Sequence, residues 1–456
     1  MAVDDKPRPD TPSIAYKNMV DEWQLVRDLL GSTPAMWDAG TRWLPQWVKE
    51  TATQYSTRLK KTTLFNGLGR TIKVLTGKVF RKPVETSENM PKLIREWLVD
   101  VDLEGNSVDT FSRKVFSDAL AMGLSHVFVD HPYSDAVSAA DEIGLRPYLV
   151  HVPADHLVAW SHTTSQGRKT LASIRILDSV IVPDGVFGEK SVDRVREYFM
   201  GAEGVMEYRF WLKDDDGDWI VSGSGTTSRT SIPLVTFYTQ EVGPMQGVPP
   251  LRDLAYTNLA HWQSVSEQRH CMTIGRKPFP FFKGFGPDFT SVEVGPFSGP
   301  KTENDKADVK IIESNGLAIA SGRQELLDLK EEMAVMGAEL LVRKPVKKTA
   351  TETISENDET NSDLGAMVSG VEDSMNNVLI IMGEWKGIKN PGTLKYNRDF
   401  GIAPNASAEV DSLIKMRGAR LISRALFFTG LQSRGFIGEG WDLDTEVAAM
   451  AAEADF

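Results

Sequence analysis

The stretch Pro249-Pro250-Leu251-Arg252-Asp253-Leu254-Ala255-Tyr256-Thr257-Asn258-Leu259-Ala260-His261-Trp262-Gln263-Ser264-Val265-Ser266 marks the point where the chain changes character. Pro250 suits a first helical position, where a missing N–H costs nothing. Leu251, Leu254, Leu259, Trp262 and Val265 then recur at helical spacing, which predicts a helix to about Ile274. Gly275 and Pro278 stop it.

Downstream, Phe279 to Phe285 and Ser291 to Val294 read as short strands around Gly/Pro turns, Lys301 to Asp308 as a polar loop and Val309 to Ile312 as a further strand. A second long helix is predicted from about Gly322 to Val342. In it Leu326, Leu329, Met333, Met336 and Leu340 step by alternating threes and fours, the spacing of a helix–helix seam. At 1.5 Å per residue it is roughly 30 Å long. The basic loop Arg343-Lys344-Pro345-Val346-Lys347-Lys348 follows, stiffened by its proline. Thr349 to Ile354 looks helical but polar. Leu364, Met367, Val371, Met375, Val378 and Met382 share one face of another helix that ends near Trp385-Lys386-Gly387. The tail from Tyr396 reads as a strand and two or three helices, with an acidic last stretch from Asp442.

Upstream, Arg146 to Tyr238 is mostly β. Candidate strands are Tyr148 to Val152, Ser173 to Leu177, Met206 to Leu212, Trp219 to Ser222 and Leu234 to Tyr238, with Asp214 to Asp218 as a hairpin turn in which Gly217 supplies positive φ. Before them comes a helix capped by Ser107 or Asp109, with Val108, Phe111, Val115 and Ala119 on one face and Gly123 at its end, then a buried strand from His126 to Asp130. The first segment, Tyr16 to about Gly77, is helical, and Trp23, Trp37, Trp43 and Trp47 read as core anchors in it.

The 456 residues suffice for two or three domain-sized units, and 41% hydrophobic with 25% charged residues is ordinary globular composition. No apolar run approaches the ~20 residues of a membrane span, and the charged, Pro-containing Met1 to Pro12 has no signal core. The only cysteine, Cys271, excludes an internal disulfide and a Cys-based zinc site and fits a reducing cytoplasm. A net charge of −12 is poor for tight DNA binding and compatible with a surface that DNA slides past.

Tests for encoded chemistry fail one by one. Gly77-Lys78 lacks the glycine a phosphate loop needs five residues before Gly77, where Ile72 stands. Gly123-Leu124-Ser125-His126-Val127 has Val127 in place of the second glycine of a nucleophile elbow. In a calcium-loop frame through Gly217, Leu212 and Gly223 fall on ligand positions and cannot serve. His261 and His270 have no metal-ligand pattern around them, and no paired carboxylates stand out. Neither a metal nor a cofactor is expected.

The order of local patterns carries a resemblance. They run from Gly77-Lys78-Val79-Phe80-Arg81-Lys82-Pro83, through Gly105-Asn106-Ser107 with Phe111 and Val127-Phe128-Val129-Asp130-His131-Pro132, to Pro153-Ala154-Asp155 with Trp160. Next come Ile232-Pro233-Leu234-Val235, the stretch quoted at the outset, Met333 with Met336-Gly337-Ala338 and Leu340-Leu341, Lys348-Thr349-Ala350-Thr351-Glu352, and Asn397-Arg398-Asp399-Phe400. In this order the chain resembles tailed-bacteriophage portal proteins, the head-to-tail connectors, in a branch usually known only as a domain of unknown function. One departure is the Glu267-Gln268-Arg269 run, where similar sequences follow the acid with an apolar or aromatic residue.

The resemblance implies an α+β portal-type fold with a mixed α/β wing over residues 1–248, a first stem helix over 249–275, a small clip over 276–320 and a second stem helix over 321–342. It further implies a tunnel loop over 343–350, a long wing helix over 351–390, and a wing strand with helical crown over 391–456. It implies a non-enzymatic subunit of a ring, usually twelve-fold, at one capsid vertex of the virion, made in the host bacterial cytoplasm. Implied partners are transiently held double-stranded DNA, a terminase motor, a head–tail adaptor, and the major capsid and scaffolding proteins, with no membrane. On this reading Leu326, Leu329, Met333, Met336 and Leu340 meet neighbouring subunits, and Arg343, Lys344, Lys347 and Lys348 face DNA. From composition alone the same cations are a solvated turn that complements a helix C-terminus. The alternative function is a soluble phage DNA-processing enzyme, a nuclease or hydrolase, whose residues would converge from distant positions.

Overall fold

A computed structural model describes residues 7–132, 145–165, 167–214, 216–275, 279–284, 304–312, 316–341, 362–398, 400, 414–419, 421–423 and 426–427. It is a mixed α+β chain of two compact units. One unit comprises residues 1–24, 70–252 and 337–456, the other residues 25–69 and 253–336. No described helix is long and apolar enough to cross a membrane.

The first unit is built on two antiparallel sheets. In the three-stranded sheet Leu124–Asp130 lies between Tyr148–Val152 and Leu234–Tyr238. Its central strand is buried at six consecutive residues, as expected of a strand covered on both faces. Helices Val108–Met122 and Asp363–Glu384 pack against this sheet. The first is capped by Ser107, whose hydroxyl accepts from the Thr110 amide at 3.5 Å, and ends at Gly123 with φ of 91°. Only glycine fits there, because a Cβ would lie 2.4 Å from the Val248 carbonyl oxygen. The second is capped by Ser362, which accepts from the Gly365 amide at 3.1 Å, and buries Leu364, Val368, Val371, Met375, Val378 and Met382. Val368 replaces the expected Met367, which is half-buried.

The five-stranded sheet is a meander of Leu157–Ser165, Arg168–Asp184, Gly188–Met200, Met206–Lys213 and Trp219–Thr226. The sequence reading missed the first and third of these strands and gave the second only five of its 17 residues. Gly188–Met200 carries polar residues on both faces, so its period-2 signal is weak. Ion pairs tie it to its neighbour as well: Arg194 grips Asp178 with two 2.8 Å bonds, and Arg196 reaches the same carboxylate at 2.9 Å. The expected hairpin turn is present, with Gly217 at φ of 87° and Asp214 accepting from the Asp218 amide at 2.8 Å.

The tail reading is partly visible. Leu394–Lys395 pairs with Glu85–Thr86, and Tyr396 Oη lies 2.7 Å from Ser112 Oγ. The expected strand at Ser291 to Val294, the basic loop Arg343 to Lys348, the polar segment Thr349 to Ile354 and the stretch from Asp442 lie outside the described residues.

Candidate functional site: an antiparallel helix pair and its frame

In the second unit, helices Arg252–Gly275 and Leu317–Glu339 run antiparallel. Three contacts fix the direction. Thr257 Oγ1 meets Met336 Sδ at 3.7 Å, Ser264 donates to Glu325 at 3.0 Å, and Gln268 Nε2 donates to the Ile319 carbonyl at 2.7 Å. Between the helices in sequence, Phe279–Lys283 pairs antiparallel with Asp308–Ile312. The second helix begins five residues before the expected Gly322 and stops at Glu339. Gly322 sits inside it because the Gln268 side chain occupies the space a Cβ would fill.

The residue that departs from the resemblance is thereby explained. Gln268 is 9% exposed and spends its amide on the partner helix, so a polar side chain is buried there with its hydrogen bond made.

The other polar side chains of the quoted stretch also hold this frame together. Asn258, fully buried, accepts from the Leu68 amide at 3.0 Å and donates to the Phe65 carbonyl at 2.8 Å, clamping the turn Phe65-Asn66-Gly67-Leu68. The Met333 side chain fills the space beside Gly67, where a Cβ would lie 2.7 Å from its Sδ. Gln263 donates to the Trp43 carbonyl at 2.8 Å. His261 is 2% exposed, lies 5.5 Å from the Phe65 ring, and has no hydrogen-bond partner among the described residues. Burial, with the Lys330 charge second, pushes its pKa down to about 4, so it is neutral at physiological pH.

Ser266 completes a buried ion pair that spacing did not announce. Arg58 and Glu50 side chains are 5% and 7% exposed and meet through two 2.7 Å bonds. The guanidinium also donates to the Pro45 carbonyl at 2.9 Å and to Ser266 Oγ at 3.1 Å, and lies 4.0 Å from the Trp47 ring centre. The bidentate bond from Arg58 holds the Glu50 carboxyl below the usual range, against the opposing effect of burial. The sign follows from linkage. A lowered folded-state pKa gives stability that is fully present above the unfolded pKa and is lost as pH falls through the folded value. Acid unfolding of the wild-type chain is therefore expected to shift to higher pH in Glu50→Gln, with the difference closing below pH about 4. A pH titration of ellipticity that superimposes for the two proteins would contradict this.

The five sequence-predicted seam residues fall as follows. Met333 is 2% exposed against Gly67, while Leu326, Leu329, Met336 and Leu340 are half-buried. Within the second unit, Met333 and Met336 are engaged by Gly67 and Thr257 of their own chain. Leu327 and Val335, unmarked by the seam pattern, are left 48% and 54% exposed on the same helix, whose first residue Leu317 is 71% exposed. The four cations Arg343, Lys344, Lys347 and Lys348 lie outside the described residues.

The segments tested for encoded chemistry are placed as follows. Gly77-Lys78 lies in the last turns of helix Gly67–Val79, and the Lys78 ammonium donates to the Phe400 carbonyl at 3.4 Å. Ser125 Oγ does lie 2.9 Å from His151 Nε2, with Asp118 Oδ2 3.4 Å from that same nitrogen. A serine–histidine–carboxylate relay needs the carboxylate on the other ring nitrogen, and Ser125 is fully buried. Among the described residues no group of three or more His, Cys, Asp or Glu could hold a metal ion.

A family described as a domain of unknown function (DUF4055) matches residues 250–386, the part that contains both helices of the pair and the helix Asp363–Glu384. No curated protein matches the chain. Among solved structures, the chain is similar to one in the virion of a native gene transfer agent particle, 12% identical, over 79% of this chain and 89% of that one, with a TM-score of 0.39. A chain from the neck of the empty particle, computed with C6 symmetry, is 12% identical over 78% and 86%, with a TM-score of 0.39. One from the neck of the native particle, computed with C12 symmetry, is 11% identical over 79% and 88%, with a TM-score of 0.39.

Proposed function

We propose that the protein is a portal subunit: a non-enzymatic ring component at one capsid vertex, through which double-stranded DNA is packaged and ejected. The observation that carries this reading is the order of elements around the quoted stretch. A long helix, a small antiparallel β pair and a second long antiparallel helix are followed by a helix packed on the wing sheet. That is the order of stem, clip, stem and wing helix that the sequence resemblance implies.

Two stem helices of 24 and 23 residues are each about 35 Å long, enough to line a channel wall when repeated around an axis. A head-to-tail interface that closes on itself makes such a ring. On this reading the terminase motor and the head–tail adaptor dock from outside, and the chain itself turns over no ATP. Arg343, Lys344, Lys347 and Lys348 of every copy then form a band of positive charge facing the phosphates, weak enough under salt screening for DNA to slide.

Negative-stain imaging and native mass spectrometry of the purified protein test the reading. A closed ring of about twelve copies with a central opening is expected, and a monomer at every concentration refutes it. Changing the four loop cations together to serine is expected to leave the ring intact and to reduce the yield of genome-filled particles. Filling at the normal rate would remove the DNA-facing role of the loop.

A further inference from the structure

The five-stranded sheet carries an arm. Strand Leu157–Ser165 pairs with its neighbour only up to Ile176, and strand Met206–Lys213 pairs with Gly188–Met200 only from Arg194 onward. From Ser179↔Asp193 to Asp184↔Gly188, the two middle strands therefore pair with each other alone. Six rungs make a two-stranded ribbon about 20 Å long. Such a ribbon is marginal in water by itself. Its tip nevertheless presents Val186 at 86% and Phe187 at 100% exposure, with Ile181 at 69% behind them. Two carboxylates, Asp184 and Glu189, flank the tip, and Lys190 follows one rung back.

The second unit contains a feature of opposite character. A cleft of about 420 Å³ is walled by Trp47, by His270 edge-on to it at 4.8 Å, and by the Arg58–Glu50 pair. Because that pair neutralises itself, the charge of the cleft is set by Lys49, Lys61 and Arg269 on its lining. It is aromatic inside and cationic around the edge, and Val48 beside it is 92% exposed.

We propose that the ribbon tip of one copy seats in the Trp47 cleft of the next copy, with Phe187 against the aromatic wall and Asp184 and Glu189 against the lysine and arginine charges. The inference rests on the ring reading above. A heterologous interface needs two different, mutually complementary patches on one chain. An apolar knob between acids and an aromatic hole among bases are such a pair. Opposite charges at the edge also select this register over tip-to-tip pairing, in which four carboxylates would meet.

Disulfide trapping tests the assignment in full-length protein carrying Cys271→Ser, which removes the one native thiol. Native mass spectrometry of this parent comes first, and a parent that forms no ring overturns the ring reading and this inference with it. In a ring-forming parent, Val186→Cys combined with Val48→Cys is expected to give a reducible ladder of covalent multimers under mild oxidation, absent from either single variant, with Phe187 kept in place. A ring without a ladder overturns the docking alone, leaving the ring reading intact. So does a fast-migrating cross-linked monomer, or a dimer formed by Val186→Cys alone. As an independent check, Asp184→Lys with Glu189→Lys at exposed positions is expected to raise the concentration of half-assembly about tenfold. An unchanged value counts against the charge pairing and overturns the proposal.

Discussion

Arg58→Met is expected to lower the unfolding free energy of the second unit by about 3 kcal/mol, whereas Arg58→Met with Glu50→Met recovers most of the loss. The single change leaves the Glu50 carboxylate, 7% exposed, facing an apolar side chain with only the Trp47 amide to bind it. Removing one partner of a buried pair costs about 3–5 kcal/mol, and the position beside an open cleft puts this case at the lower end. The Pro45 carbonyl and Ser266 hydroxyl also lose their donor. The double change removes both charges, and apolar replacements of similar volume are often neutral. Urea unfolding followed by tryptophan emission reads this out, since Trp43 and Trp47 lie in the same unit. Equal losses in the single and double variants would show that the pair acts by packing alone.

On the proposed ring reading, Leu327→Asp with Val335→Asp is expected to abolish ring formation while leaving the chain folded. Both side chains are about half exposed in the single chain, where surface substitutions usually change stability within about 0.5 kcal/mol. In a ring that covers this face, each aspartate would be desolvated without a partner, and the cost repeats at every interface. Met333→Asp is the contrasting variant. Its side chain is 2% exposed and wedged against Gly67, so a charge there is expected to unfold the unit before assembly is reached. Sedimentation velocity and circular dichroism distinguish the two. A Leu327/Val335 variant that still sediments as a ring would mean that this face stays in solvent and that neighbours meet elsewhere.

The parts of the fold that sequence reading recovers are those with a clean period. Leu234–Tyr238 and Tyr148–Val152 appear with the expected bounds, and the helix after Pro250 and the one through Leu364 within a few residues. Gly188–Met200 is missed and Arg168–Asp184 is recovered only at Ser173 to Leu177, because charged residues such as Asp178, Arg194 and Arg196 interrupt the alternating apolar signal. The framework site was half legible. Asn258, His261, Gln263, Ser264 and Ser266 stood out as a pattern, but their partners at Phe65, Leu68, Trp43 and Arg58 lie some 200 residues away, and no local rule names them. The Arg58–Glu50 pair carries no spacing signal at all. It depends on the irregular segment that folds Pro45, Trp47 and Glu50 back over the guanidinium. The seam residues were identified by a correct helical period, yet periodicity does not distinguish a side chain spent on its own chain, as Met333 is, from one left for a neighbour, as Leu327 is.

The clamp of Asn258 on the Phe65–Leu68 turn has a kinetic side. It joins residues 25–69 to residues 253–336, and all of residues 70–252 must be synthesised before the clamp can close. At about 5–20 residues per second on the ribosome, the early helices wait on the order of ten seconds or more with Trp43, Arg58 and Phe65 lacking their partners Gln263, Ser266 and Asn258. Such high contact order slows folding and leaves sticky intermediates in its wake. The first unit is interrupted by the same segments, so neither unit is finished until the other is nearly complete. A nascent chain released early therefore holds neither unit complete.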